Sequence, residues 1–312
     1  MPPPYSTLKQ RLDNGDIVIL DGATGTELQR RGIDMDPAAW CGVASLDNQQ
    51  TLSEIHADYI AAGAEVVTAN TFATSRVVLA QAGFGDRVEE INRAAVEAAL
   101  RAREASGNPE VVVAASLSHM VYLASDREPE PMPSEEEAAE AFHEQAEILK
   151  AAGAELILLE MMYHPTRVPQ VLAAARATGL PVWFGLSART SAKGRLLSYL
   201  DSAEIPLARI VELIPGRGID AAGCMHSGAE ITSAVLGQIR KRFKGPLMAY
   251  PDSGYFEMPE WHFHDVITPA RLEGFYLDWL ENGAQIIGGC CGLTVEHVKA
   301  AVRARDRYQN AL

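Results

Sequence analysis

Ala61-Ala62-Gly63-Ala64-Glu65, Ala151-Ala152-Gly153-Ala154-Glu155 and Asn282-Gly283-Ala284 punctuate the chain in the same way. Each sits between a long alanine-rich stretch with helical spacing of apolar residues and a short run rich in Val, Ile or Leu. Glycine at such a boundary supplies the left-handed conformation that ends a helix, and the small residue after it lets helix and strand pack closely. Working outward from these boundaries, the same alternation covers the chain and predicts strands over residues 17–20, 65–69, 111–115, 155–159, 181–185, 218–222, 246–250 and 284–287. Proline opens two of them, Pro181 and Pro246, where no ladder donor is yet required. Eight consecutive βα units predict an α/β protein whose parallel sheet closes into a single-domain (β/α)8 TIM barrel over residues 1–312.

Composition narrows the function. Lys plus Arg number 27 against 41 Asp plus Glu, a net charge of −14, and no stretch concentrates basic residues. That balance argues against a nucleic-acid partner and favours a neutral or cationic small molecule. No apolar run approaches the roughly 18 residues of a membrane span, so no membrane partner is expected. Prolines occupy the positions where a secretion signal would carry charged and then apolar residues, so the expected location is cytoplasmic. The cysteines, Cys41, Cys224, Cys290 and Cys291, are too few for a disulfide framework and lack CxxC spacing. Cys41 reads as a small apolar residue, whereas the adjacent pair points to metal or redox chemistry. Oligomeric state is not written in the sequence; the aromatic segment 255–264 suits a subunit contact as well as a lid.

Three long gaps, 28–51, 123–133 and 252–267, all follow predicted strands, on the face where barrels build their sites. The strongest local signal lies there: Ile286-Ile287 runs into Gly288-Gly289-Cys290-Cys291-Gly292, whose glycines let both sulfurs turn toward one point. Cys224 follows the sixth predicted strand in the same manner. Three thiolates around Zn2+ leave one tetrahedral position open, which a substrate thiol can fill. A free thiol with a pKa near 8.5 is only a few per cent ionised at pH 7, and coordination deprotonates it. A vicinal disulfide or redox pair at Cys290-Cys291, and a structural zinc with His226 as fourth ligand, are the competing readings. Asp21 and Glu160, acids at strand ends, can together bind an ammonium group, with Gly22 and its turn offering amides to a carboxylate. Asn70, Thr71 and Trp40 fall on the same rim. The Asp21–Glu27 turn lacks both the GxxxxGK[ST] and GxGxxG patterns, so it is not read as a phosphate loop. His119, His226, His262 and His264 also lie on these loops without an assigned role; aromatic faces at Trp261, Tyr255, Phe256 or Trp40 would suit a cationic donor.

Taken together, these residues resemble the homocysteine S-methyltransferase family. The resemblance is carried by Asp21-Gly22-Ala23-Thr24-Gly25-Thr26-Glu27, Asp36-Pro37 with Trp40, His56 with Tyr59, Thr68 with Thr71-Phe72, Cys224 and Gly288-Gly289-Cys290-Cys291-Gly292. It implies a (β/α)8 barrel, zinc held by Cys224, Cys290 and Cys291, and homocysteine oriented by Asp21 and Glu160. The implied reaction is direct methyl transfer to homocysteine, giving methionine. A sulfonium donor such as S-methylmethionine is the first expectation, because it leaves as a neutral thioether and needs no acid; betaine is the second. The rival readings are a thiol-binding module that takes methyl from a separate corrinoid protein, and a zinc methyltransferase for another thiol or selenol. The sequence departs from the family pattern at Gly223, where asparagine is common, at Ser116-Leu117-Ser118-His119, where glycine-proline-tyrosine is common, and at Asp252, where asparagine is common.

Overall fold

The computed structural model describes residues 3–123 and 131–311. Its central sheet has eight parallel strands: β1 (Val18–Ile19), β2 (Val66–Ala69), β3 (Val112–Ser118), β4 (Leu156–Met162), β5 (Val182–Leu186), β6 (Ala221–Met225), β7 (Leu247–Tyr250) and β8 (Ala284–Ile287). Neighbours follow chain order from β2 to β8, and β8 pairs with β1. A parallel bridge from Leu20 to Val66, with the Glu65 amide on the Ile19 carbonyl at 2.8 Å, joins β1 to β2 and closes the ring.

The period-two alternation of a strand sorts each run into two cores. Val18, Val66, Val112, Leu156, Trp183 and Ile286 fill the barrel interior, while Ile19, Val67, Val113, Ile157, Phe184 and Ile287 face the surrounding helices. The helix Pro4–Asp13 plugs the N-terminal end: Tyr5, Leu8 and Leu12 join the interior cluster. The Tyr5 hydroxyl donates to Asp220 Oδ2 at 2.7 Å and accepts from Trp183 Nε1 at 3.0 Å, so the plug's one polar tip is satisfied inside. Because Leu8 is only 2% exposed, Leu8→Ala is expected to lower the unfolding free energy by about 2–5 kcal/mol. Urea titration measures it, and a loss below about 1 kcal/mol would mean that the plug contributes little.

The strand predicted at 284–287 coincides with β8, and the third and fourth strands run further than expected, to Ser118 and Met162. The sixth differs most: not 218–222 but Ala221–Met225. Gly218 has φ 77°, a left-handed turn, and the ladder begins only after it. Two antiparallel hairpins, Ala188–Thr190 with Leu196–Ser198 and Tyr255–Glu257 with Glu260–His262, were not anticipated. They follow β5 and β7 and wall the C-terminal mouth. The second is fastened by a paired amide contact, Gln29 Nε2 to Trp261 O at 3.0 Å and Trp261 N to Gln29 Oε1 at 2.9 Å. Most of the expected loop 123–133 lies outside the described residues. Among the described residues, no helix is long and apolar enough to cross a membrane.

Candidate active site

Beyond β8 the chain is pinned to its neighbours by backbone hydrogen bonds: Gly289 N–H to Asp21 O at 3.0 Å, Cys290 N–H to Pro251 O at 2.8 Å, and Ser253 N–H to Cys291 O at 2.9 Å. The turn closes at Gly292, φ 79°, where a Cβ would collide with the Ser253 carbonyl. Held in this way, Cys290 Sγ lies 3.8 Å from Cys291 Sγ and 3.7 Å from His226 Nδ1. Among the described residues, His226, Cys290 and Cys291 are the one group of potential metal ligands whose donor atoms all lie within 4.8 Å of one another. The Cys291 sulfur and burial both push the Cys290 thiol well above its usual value. A thiolate here therefore needs a positive partner.

Cys224, expected as the third thiolate, is not brought into this group. Its strand neighbours in register are Leu186 on β5 and Ala249 on β7, both on the helix-facing side of the sheet. Cys224 shares that face, near Ser227 and Thr232, and burial pushes its thiol up to about 12. The inward position is taken by Met225, whose Sδ accepts from the Met161 amide at 2.8 Å.

His226 occupies the left-handed region at φ 42°, uncommon for a residue with a side chain. Its ring is flanked edge-on by Tyr199, 5.2 Å away, and Trp261, 5.6 Å away. Asp252 Oδ2 lies 3.5 Å from Nδ1. Burial opposes a charge on His226, but Asp252 and the Cys290 sulfur outweigh it and raise the imidazole to about 9. Asp252 is also one wall of an open cleft of about 470 Å3, shared with Tyr199, Ser227, Ser253 and Arg271.

Across the mouth stand two carboxylates. Asp21, 2% exposed, accepts from Thr68 N at 2.7 Å and Thr68 Oγ1 at 3.0 Å; Glu160 Oε2 accepts from Ser116 Oγ at 2.5 Å. Burial pushes Asp21 up to about 8 and Glu160 up to about 7. All three hydrogen-bond donors are neutral groups, so no charged donor holds either carboxylate among these contacts. Tyr250, to which sequence reading gave no role, has a hydroxyl buried without a hydrogen-bond partner among the described residues, and it feels Glu160, Cys290, Cys224 and Asp21. The signal was available, since Tyr250 is an inward position of β7 by alternation from Met248.

Other rim residues spend their polar atoms on the protein. Asn70 Nδ2 donates to Cys41 O at 2.8 Å, and Asn70 Oδ1 accepts from Cys41 Sγ at 3.1 Å. Thr71 Oγ1 donates to Ser116 O at 2.7 Å. Gly22 is packed so closely that a Cβ would strike the Tyr59 ring. His119 Nε2 accepts the amides of Tyr163 and His164 at 3.2 and 3.3 Å, fastening the end of β4. His262 and His264 stack with Tyr255 on the outer hairpin. Trp40 belongs to an arc of rings running His119, Tyr163, Tyr199, His226, Trp261, Phe256, Trp40, Phe72, with successive centroids 4.5 to 6.4 Å apart.

Known proteins share this architecture. A family model described as homocysteine S-methyltransferase matches residues 18–305. The homocysteine S-methyltransferase of Escherichia coli (strain K12) is 33% identical, over 96% of this chain and 98% of its own. A selenocysteine Se-methyltransferase of Brassica oleracea var. italica is 23% identical over 95% of this chain and 91% of its own. Among solved structures, the metallated form of the Escherichia coli homocysteine methyltransferase MmuM is similar with a TM-score of 0.72 and 26% identity, covering 97% of this chain and 99% of that one. A match running from β1 to the last helix, through the Cys290-Cys291 turn and both carboxylates, places this methyltransferase in the homocysteine S-methyltransferase family.

Proposed function

We propose that the protein methylates homocysteine to methionine by direct transfer from a small cationic donor, S-methylmethionine first and betaine second, with zinc at the Cys290-Cys291 turn. The observation that carries this reading is the pair of sulfurs 3.8 Å apart, with an imidazole nitrogen 3.7 Å from one of them. Zinc bonds of about 2.3 Å to sulfur and about 2.0–2.1 Å to nitrogen give tetrahedral edges of roughly 3.8 and 3.6 Å, so the residues present fit that ion. Bound there, zinc would lower the pKa of an incoming thiol and supply the nucleophile at neutral pH.

The rest is done by side chains. Asp21 and Glu160 hold the acceptor's ammonium group, which removes the charge conflict that burial imposes on them. That contact sets the direction in which the sulfur points. Trp40, Phe256, Trp261 and Tyr199 present ring faces and edges around the mouth, a lining that favours a sulfonium or quaternary ammonium cation and excludes water from it. The thiolate attacks the methyl carbon, the carbon–sulfur bond of the donor breaks, and the donor leaves as a neutral thioether. No proton need be delivered, so positioning accounts for most of the residues' work.

A second reading, methylation of a selenol such as selenocysteine, draws support from the Brassica relative. A donor-by-acceptor screen of the purified protein, pairing S-methylmethionine or betaine with homocysteine or selenocysteine, separates the possibilities. The expected result is the highest kcat/KM for S-methylmethionine with homocysteine. Turnover only when a methylated corrinoid protein is added would overturn direct transfer.

A further inference from the structure

We infer that His119 is a positioning residue: its imidazole accepts the two backbone amides that follow a bulge in β4 and so aims the Glu160 carboxylate at the acceptor's ammonium group. The inference rests on the reading above that Glu160 binds that group, and adds the residue that sets its direction.

Glu160 does not sit on a regular stretch of strand. Leu159 pairs with Phe184 and Met162 with Leu186, so Glu160 and Met161 together oppose the single residue Gly185 on β5. A bulge of this kind re-aims the side chains it carries. Met161 takes the left-handed conformation, φ 55°, which a residue with a side chain keeps only where its surroundings hold it. On the opposite edge the pairing of β3 with β4 ends at Ser118 opposite Glu160, and Ser116 Oγ donates to Glu160 Oε2.

Past that pair the chain after β3 turns back on itself, with the Met120 amide on Ser118 Oγ at 3.3 Å. The amides of Tyr163 and His164 reach His119 Nε2 instead, at 3.2 and 3.3 Å. The ring thus stands in for the strand that has left, and it fixes the chain immediately beyond the bulge. His119 is fully buried and packs edge-on against the Tyr163 ring, 4.5 Å between centroids, which leaves it little room to turn. Burial pushes the imidazole down to about 3, so it stays neutral and able to accept across the neutral range. Without that acceptor the two amides are left unpaired inside the protein, the bulge has no clamp on its far side, and the carboxylate is free to turn from the mouth.

Homocysteine and its des-amino analogue, which keeps the thiol and the carboxylate but has no ammonium group, separate positioning from general damage. Both are assayed on the purified full-length protein with whichever of S-methylmethionine or betaine turns over faster. His119→Leu is expected to raise the KM for homocysteine about tenfold with kcat within about threefold, the pattern of a weakened charged hydrogen bond made in ground state and transition state alike. For the des-amino thiol, kcat/KM should stay within about twofold of the parent. His119→Gln, whose amide oxygen can stand where Nε2 does, should bring homocysteine back to within about threefold of the parent. His119→Asn, whose oxygen reaches only the place of Nδ1, should reproduce the loss, and it supplies the same comparison if the leucine variant fails to fold. An equal loss for both thiols, or no loss for homocysteine, would overturn the inference while leaving the reading of Glu160 intact. A parent that turns over neither thiol, or both equally well, overturns that reading and the inference with it.

Discussion

Cys290→Ser is expected to lower methyl transfer to homocysteine by about three orders of magnitude while leaving the fold in place. The magnitude follows from two effects that multiply. A free thiol of pKa near 8.5 is about 3% ionised at pH 7, so losing the metal's influence on the acceptor costs about 30-fold. An acceptor no longer anchored by its sulfur also loses alignment with the donor, and a misplacement of about 1 Å costs about 100-fold. The fold is spared because the backbone amide of residue 290, not its sulfur, carries the contact to Pro251. Zinc content and melting temperature, measured beside activity, separate the outcomes. Activity within about tenfold of the parent, with zinc absent, would mean that the thiol is activated elsewhere. Cys41→Ser is the matched control, since that sulfur is 2% exposed and hydrogen-bonded to Asn70.

The barrel was legible because its signals are redundant: strand runs such as Val111-Val112-Val113 and Leu156-Ile157-Leu158-Leu159 are apolar on both faces, as strands buried between a barrel core and a helix layer must be. Those same runs carry no information about which face is inward. At β8 this did no harm, because the turn after Ile287 is fixed by backbone contacts and both sulfurs reach the mouth. At β6 it mattered. Ala221-Ala222-Gly223-Cys224 offers small residues on both faces, so nothing in composition set the parity. His226 was visible as a possible fourth zinc ligand and Asp252 as a departure from the family pattern; their closeness depends on β6 and β7 being neighbours with Met225 opposite Tyr250. Asn70 and Thr71 show the converse. Their polarity at a strand end suggested a ligand, but the loops they support consume their hydrogen-bonding groups.

The second large effect concerns the carboxylates, and its sign differs between activity and stability. Glu160→Gln is expected to raise the KM for homocysteine about 10- to 100-fold, since a hydrogen bond to a charged group contributes about 1.5–3 kcal/mol. The change in kcat should be smaller, because the ammonium contact is made in the ground state as well as in the transition state. In the parent, kcat/KM should climb between about pH 6 and pH 8 as Glu160, raised to about 7 by burial, and Asp21, raised to about 8, ionise to receive the ammonium group. Replacing Glu160 removes the lower limb of that rise. Stability runs the other way. Both groups have folded-state pKa values above their unfolded values, so the native state holds protons that the unfolded chain has released, and native stability falls as pH rises from about 4 to about 8. Asp21→Asn and Glu160→Gln should therefore melt higher than the parent at pH 8 and differ less at pH 5, even as acceptor affinity drops. An unchanged KM together with a lower melting temperature at pH 8 would mean that these carboxylates serve the fold. The expected opposition, affinity lost where stability is gained, is the signature of buried charge kept for a cationic ligand.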